Sequence, residues 1–163
     1  MWYYKDDVRK SIHRFKFGNT RGYADVYARL LALRLQNTFP EAFDILTWVP
    51  VSGLRRLKRG YDQTELIAKA LARDLGMPAT AVLKKIRHTP PQSGIRDAAQ
   101  RRANVLGAYI VRNRQDLTGK RIILLDDVLT TGATASECAR VLVTAGAKEV
   151  CFAAVAVASD DKN

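Results

Sequence analysis

Arg121-Ile-Ile-Leu-Leu-Asp-Asp-Val-Leu-Thr-Thr-Gly-Ala-Thr134 decides the fold: an apolar run ends in paired carboxylates, and small hydroxylated residues then lead into a helical pattern. Ile122 to Leu125 read as a buried strand, Val128 to Ala133 as a tight loop, and Ala135 to Thr144 as a helix closed by Gly146. Open α/β folds bind their ligands at this carboxyl end of a sheet strand. The backbone N–H groups of Thr131, Gly132, Ala133 and Thr134 are expected to converge on one anion at the helix N-terminus, and the hydroxyls of Thr130, Thr131 and Thr134 add donors. Gly132 removes a Cβ that would hinder close backbone approach.

Ionised carboxylates accept hydrogen bonds and donate none, so Asp126 and Asp127 repel a phosphate but suit a sugar diol. The combination points to a sugar 5-phosphate with free 2- and 3-hydroxyls. Strand alternation sends the two aspartates to opposite faces if the strand stays regular, in which case one of them only fixes the loop. A Walker B strand would need a Gly-x-x-x-x-Gly-Lys-Ser/Thr loop, which the chain lacks. A receiver-type acidic pocket would place its pair near the first strand, and simple capping leaves the Thr-Thr-Gly-x-Thr run without a purpose.

The chain has 163 residues, 47% of them hydrophobic, which is enough for one domain to bury roughly two-thirds of its unfolded surface. We read 1–163 as a single domain with an N-terminal helical part over 1–40. Cys138 and Cys151 have neither a disulfide-framework nor a zinc spacing and are expected in the core of a protein kept in a reducing compartment. The N-terminus has no long apolar stretch, and Val150 to Ala158 is too short to span a bilayer, so a cytoplasmic location without membrane insertion is expected. The net charge of +11 is gathered at Arg55-Arg56-Leu-Lys58-Arg59, Lys84-Lys85-Ile-Arg87 and Arg96 to Arg102. Such a surface attracts a pyrophosphate substrate or a nucleic-acid backbone, and charge alone does not choose between them.

Val8, Ile12, Phe15 and Phe17 predict a short amphipathic helix, and a second runs from about Tyr23 to Gln36, with Leu30, Leu31, Leu33 and Leu35 implying burial on more than one face. Phe43 to Val51 reads as a long strand. Asp62-x-x-Glu65 starts a helix that ends near Gly76. Val82 to Arg87, Leu106 to Val111 and Lys148 to Ala158 read as further strands, giving an α/β order with a mainly parallel twisted sheet flanked by helices. Residues 88–105 hold Pro90, Pro91 and Gly94 before a helical pattern in which Asp97 and Arg101 are spaced to pair, and they read as a mobile flap.

The segment from Asp126 to Thr134 resembles the 5-phosphoribosyl-1-pyrophosphate (PRPP) motif of type I phosphoribosyltransferases. Val49-Pro50-Val51, Arg59-Gly60-Tyr61-Asp62-Gln63 and Thr89-Pro90-Pro91-Gln92-Ser93 with Arg101, Arg102 and Asn104 are similar to the ComF family of competence proteins. The resemblance covers nearly the whole chain. It implies a type I phosphoribosyltransferase-like fold and magnesium held through the substrate, with Asp126 and Asp127 as catalytic residues. Thr130, Thr131, Gly132, Ala133 and Thr134 would bind the 5-phosphate. Val51, Ser52, Gly53 and Arg59 would bind pyrophosphate, and Gln92, Ser93, Arg101, Arg102 and Asn104 would act from the flap, whose closure would exclude water from an exposed ribosyl cation.

The implied activity is PRPP-dependent glycosyl transfer with pyrophosphate release, or use of the same site as a sensor, in DNA uptake during natural transformation beside a helicase-like protein. The acceptor and the oligomeric state stay open. The alternative is a non-catalytic module that binds single-stranded DNA, with Tyr61 and Tyr109 as stacking candidates. The family commonly opens with a four-cysteine zinc module; no such cysteines precede Met1-Trp2, so either the chain is a fragment or this member lacks the module, and no zinc is expected in these residues. Asp62 stands where asparagine is common in the family and suits a helix cap better than a phosphate contact.

Overall fold

A computed structural model describes residues 2–18, 20–39, 43–90 and 97–158. Four parallel strands form the main sheet in the order β1 (Trp2–Tyr3), β6 (Glu149–Val157), β5 (Arg121–Leu129) and β2 (Ile45–Trp48). Near-continuous Ile, Leu and Val in β5 suit a strand covered on both faces, as parallel sheets require. Alternation divides its side chains between two cores. Ile123 and Leu125 join Leu46, Trp48 and Val155 beneath the helices α1 (Asp6–Phe17), α2 (Tyr23–Thr38) and α4 (Gln63–Leu75). Ile122 and Leu124 face the other way, onto Cys138 and Leu142 of α6 (Ala133–Thr144) and onto Val82 and Leu83. All four β5 residues are essentially sealed from water, each burial being worth about 1.5–3 kcal/mol.

The second group of expected strands departs from the parallel reading. Leu83–Lys85 (β3) and Tyr109–Val111 (β4) pair antiparallel in a ribbon of their own, and only Ala79 bridges to β2, at Leu46. In the chain, the two strands of the ribbon lie on either side of residues 86–108, which include the helix α5 (Ala98–Val105). A short helix not foreseen from the residues, α3 (Gly53–Arg59), occupies the basic stretch after β2.

Two smaller expectations also change. The helix α2 buries Leu31 and Leu35 but leaves Val26, Leu30 and Leu33 exposed, because only one of its faces packs on α4 and the sheet. Asp97 caps α5 by accepting the Gln100 N–H at 2.8 Å. Asp62 is a cap too, taking the N–H groups of Thr64 and Glu65 at the start of α4. Cys138 is wholly buried, and that burial pushes its thiol far up.

Candidate active site

The cavity opens where β2 stops. Pairing of β2 with β5 ends at Trp48 and Leu125, whereas β5 continues beside β6 to Leu129, so Asp126 to Leu129 have an open flank. A cleft of about 510 Å³ lies there, lined along one side by every residue from Asp126 to Ala135. The strand is longer than expected: Val128 and Leu129 belong to it, and the turn is reduced to Thr130, Thr131 and Gly132.

Both aspartates line this cavity, although regular alternation would separate them. Asp126 turns its carboxylate back to accept the N–H of Asp127 at 2.8 Å, which draws the two acidic groups together. Burial, and then the adjacent Asp127 carboxylate, push the Asp126 carboxyl up to about 8. The Lys16 ammonium lies 2.7 Å from Asp127 Oδ2, with only 20% and 16% of the two side chains exposed. Burial works against the charged lysine, but the pairing and hydrogen bond with Asp127, aided by Asp126, hold it above its ordinary range.

Gly132 forms the entry to α6 with φ of +77°, in the left-handed region, and offers no side chain to cap the helix. The first N–H groups of α6 therefore face the cavity mouth without a side-chain acceptor. A Cβ built on Gly132 would meet nothing closer than Leu129 Cδ1 at 3.9 Å, so within the protein it is the dihedral, rather than lack of room, that calls for glycine. Thr130, Thr131, Ala133 and Thr134 all line the same end of the cleft.

The facing wall is assembled from several elements. Of the turn after β2, Val51 lines the cavity, whereas Ser52 and Gly53 are not among the lining residues. The Val51 N–H, expected to be offered to an anion, donates instead to Asp62 Oδ2 at 3.2 Å. Asp62 thereby ties the turn to the cap of α4: it has no place against a phosphate but sets the backbone that would meet one. The Ser52 hydroxyl is buried without a hydrogen-bond partner. Arg59 ends α3, and its side chain lies outside those described.

On the flap side, Gln92 and Ser93 lie outside the described residues. Asn104 bonds within residues 86–108: its Nδ2 donates to the Pro90 carbonyl at 3.2 Å, and its own carbonyl accepts from Arg87 Nη2 at 3.0 Å. Arg87 also donates to the Leu106 carbonyl at 2.8 Å, and the Gly107 N–H is held by the buried carboxylate of Glu137 on α6. Residues 87–90 and 104–107 are thus stapled to each other and to α6. Arg101, Arg102 and Asn104 are not among the described residues that line the cleft.

Several cavity residues were not among the expected site residues. Lys16 and Phe17, which with Arg9 belong to the opening segment that resembles the ComF family, sit at the end of an amphipathic helix, and His13, whose ring is 4.7 Å from that of Phe17, looks like a solvent-facing residue there. Lys85 on β3 reaches into the cleft, donating to Thr89 Oγ1 at 2.8 Å and lying 5.2 Å from the centre of the Tyr109 ring. Tyr61 and Tyr109 are buried, and the Tyr61 hydroxyl donates to the Phe15 carbonyl, so neither offers an open face for stacking a base.

Residues 63–163 match the phosphoribosyl transferase domain family, so the fold and the cradle define a phosphoribosyltransferase-like domain. The solved structures agree on the fold. The glutamine PRPP amidotransferase from B. subtilis superposes with a TM-score of 0.56 at 20% identity, covering 87% of this chain and 30% of that one. A purine phosphoribosyltransferase from Pyrococcus horikoshii gives 0.50 at 22%, covering 82% and 73%.

Among curated relatives, Competence protein F of Haemophilus influenzae is 32% identical over 157 residues, 91% of this chain and 67% of that protein. The DNA utilization protein YhgH of Escherichia coli O157:H7 is 31% identical over 144 residues, 85% of this chain and 62% of that protein. The chain belongs to the ComF family of the phosphoribosyltransferase superfamily. It spans about two-thirds of the length of these relatives. Among the described residues, no helix is long and apolar enough to cross a membrane.

Proposed function

We propose that this domain binds Mg-PRPP and transfers its phosphoribosyl group to an acceptor, releasing pyrophosphate. The observation that carries the reading is the meeting, in one cleft, of an uncapped helix N-terminus with two carboxylates on consecutive residues. The N–H groups of α6 and the hydroxyls of Thr130, Thr131 and Thr134 suit the 5-phosphate, while Asp126 and Asp127 suit the ribose diol. Cleavage of the anomeric C1–O bond develops positive charge on the ribose and negative charge on the departing pyrophosphate. The turn at Val51 and the Lys85 ammonium, which both line the cleft, are the groups of this chain that would meet the pyrophosphate end.

Magnesium would enter by way of the substrate, since this hard cation commonly takes its oxygens from phosphates and water and needs few protein ligands. Bound in that way, magnesium would supply charge neutralisation to the pyrophosphate.

Calorimetric titration of PRPP with magnesium into the wild type and into a folded Asp126→Ala/Asp127→Ala variant tests the reading. Saturable binding that disappears in the variant supports it, and pyrophosphate release across a panel of nitrogen acceptors then separates an enzyme from a sensor. No binding to the wild type sinks it.

A role in DNA uptake, with single-stranded DNA on the basic surface and a helicase-like partner, is favoured by the net charge of +11 and by what the relatives are called. The free thiols of Cys138 and Cys151 favour a cytoplasmic setting for it. DNA affinity that falls steeply with salt, unchanged by Asp127→Asn, would place the DNA on a surface separate from the cleft.

A further inference from the structure

We propose that Lys16 is a positioning residue of the ribose site, which holds Asp127 through one carboxylate oxygen and leaves the other for a sugar hydroxyl. The proposal rests on the PRPP reading above. Its first support is geometric: the Lys16 ammonium is 2.7 Å from Asp127 Oδ2, both side chains are largely buried, and both line the cleft.

The second support is how firmly the lysine is delivered. Ile12 and Phe15, 1% and 0% exposed, bury α1 in the core under the sheet, and the Tyr61 hydroxyl grips the Phe15 carbonyl beside Lys16. The α1 helix precedes the residues that match the phosphoribosyl transferase domain, so the cation comes from outside the segment that supplies the cradle.

The third support is electrostatic. Burial and the neighbouring Asp127 carboxylate disfavour a second negative charge on Asp126, so the charge left in this poorly hydrated cleft is chiefly that of Asp127, and it opposes a polyanionic ligand. A fixed ammonium cancels that charge without blocking both oxygens of the carboxylate it holds. A buried ammonium is in turn costly unless paired, which keeps Lys16 on Asp127. Its task is to set the orientation and charge of the diol acceptor, a role distinct from direct contact with phosphate.

The test titrates ribose 5-phosphate, magnesium pyrophosphate and Mg-PRPP into the wild type, Lys16→Met, Lys16→Arg, Asp127→Asn and Lys16→Met/Asp127→Asn, with thermal melts as a folding control. Lys16→Met should weaken ribose 5-phosphate and PRPP at least tenfold while leaving pyrophosphate within twofold, and Lys16→Arg should recover most of the loss. In the Asp127→Asn background, where no charge needs holding, adding Lys16→Met should change affinity less than twofold. If Lys16→Met does not fold, the double variant read against Asp127→Asn, together with Lys16→Arg, decides the matter. Selective loss of pyrophosphate would make Lys16 a phosphate contact, an undiminished effect in the Asp127→Asn background would uncouple the pair, and tighter binding by Lys16→Met would make it an obstructing latch. Each of these overturns the proposal. A folded wild type that binds neither ribose 5-phosphate nor PRPP defeats the PRPP reading itself, and the role of Lys16 falls with it.

Discussion

On one side of the cleft, Asp126 to Ala135 follow one another along the end of a strand, a short turn and the first turn of a helix; on the other, Lys16, Val51, Lys85 and Tyr109 arrive from four separate elements. The first side owes its geometry to continuous ladders: β5 is hydrogen-bonded to β6 up to Leu129, and α6 starts four residues on. The second side is held by single side-chain ties, Asp62 to the Val51 N–H, Lys85 to Thr89 and Lys16 to Asp127. A continuous wall should yield only to damage in its core or backbone, whereas an assembled wall should come apart one tie at a time.

The largest effect is expected from undermining the continuous wall. Leu124→Ala, in a side chain with no exposure, should cost about 3–4 kcal/mol in urea denaturation, because the neighbouring β5 and α6 residues cannot close the cavity it leaves. A loss under 1 kcal/mol would mean that the wall is not as tightly supported as its burial indicates. On the assembled wall, Asp62→Ala removes the cap of α4 and the Val51 anchor together and should cost about 2 kcal/mol. Hydrogen exchange should accelerate more at the Val51 amide than at Leu124, whose exchange follows only the loss of global stability; equal acceleration at both would erase the distinction between the walls.

The third prediction concerns pH. The Asp126 carboxyl is raised from 3.8 to about 8 in the folded protein, so folding favours its protonated form. Its contribution to stability is complete below about pH 4 and is lost progressively as pH rises towards 8. Asp126→Asn, which stays neutral, should flatten this dependence and be more stable than the wild type at pH 8 by about 2 kcal/mol, seen as a Tm higher by about 4–8 °C. A parallel pH profile in the two proteins would show that Asp126 titrates normally. The smallest effect is expected from Gly132→Ala, which forces a Cβ onto a backbone with φ of +77° and should cost about 1 kcal/mol. Weakened PRPP binding at little cost in stability would mark that turn as functional backbone.

Much of the strand, turn and helix along the cleft was readable from the residues because its information is local. An apolar run, an acidic pair and a small-residue turn into a helix define a strand and its end without reference to anything distant, and Asp62 likewise announces a cap by its place before Gln63-Thr64-Glu65. That β3 and β4 pair with each other, apart from the mainly parallel sheet, was not legible for the opposite reason. Short apolar stretches around basic residues do not say which strand they will join, and here both abandon the main sheet for each other. The exposure of Leu30 and Leu33 was equally hidden, since a helix with leucines around its circumference reads as buried until the neighbours that cover it are known. The side chains of Asp126 and Asp127 were expected on opposite faces, but beyond the end of β2 the strand has an open flank and Asp126 folds back onto the next N–H.

By itself the sequence determined an α/β domain, the strand and helix that line one side of the cleft, and the acidic pair between them. These follow from hydrogen-bonding and burial preferences that act between near neighbours, while the phosphoribosyltransferase kind was legible from the resemblance of one motif. Tertiary structure alone decided that Lys16 would pair with Asp127, that Asp62 would take the Val51 N–H, and that residues 86–108 would connect the strands of an antiparallel ribbon tied by Arg87 and Glu137. Each of those links joins residues far apart in the chain, and a charge or a donor finds such a partner only when packing of the two cores brings their elements to the same end of the sheet.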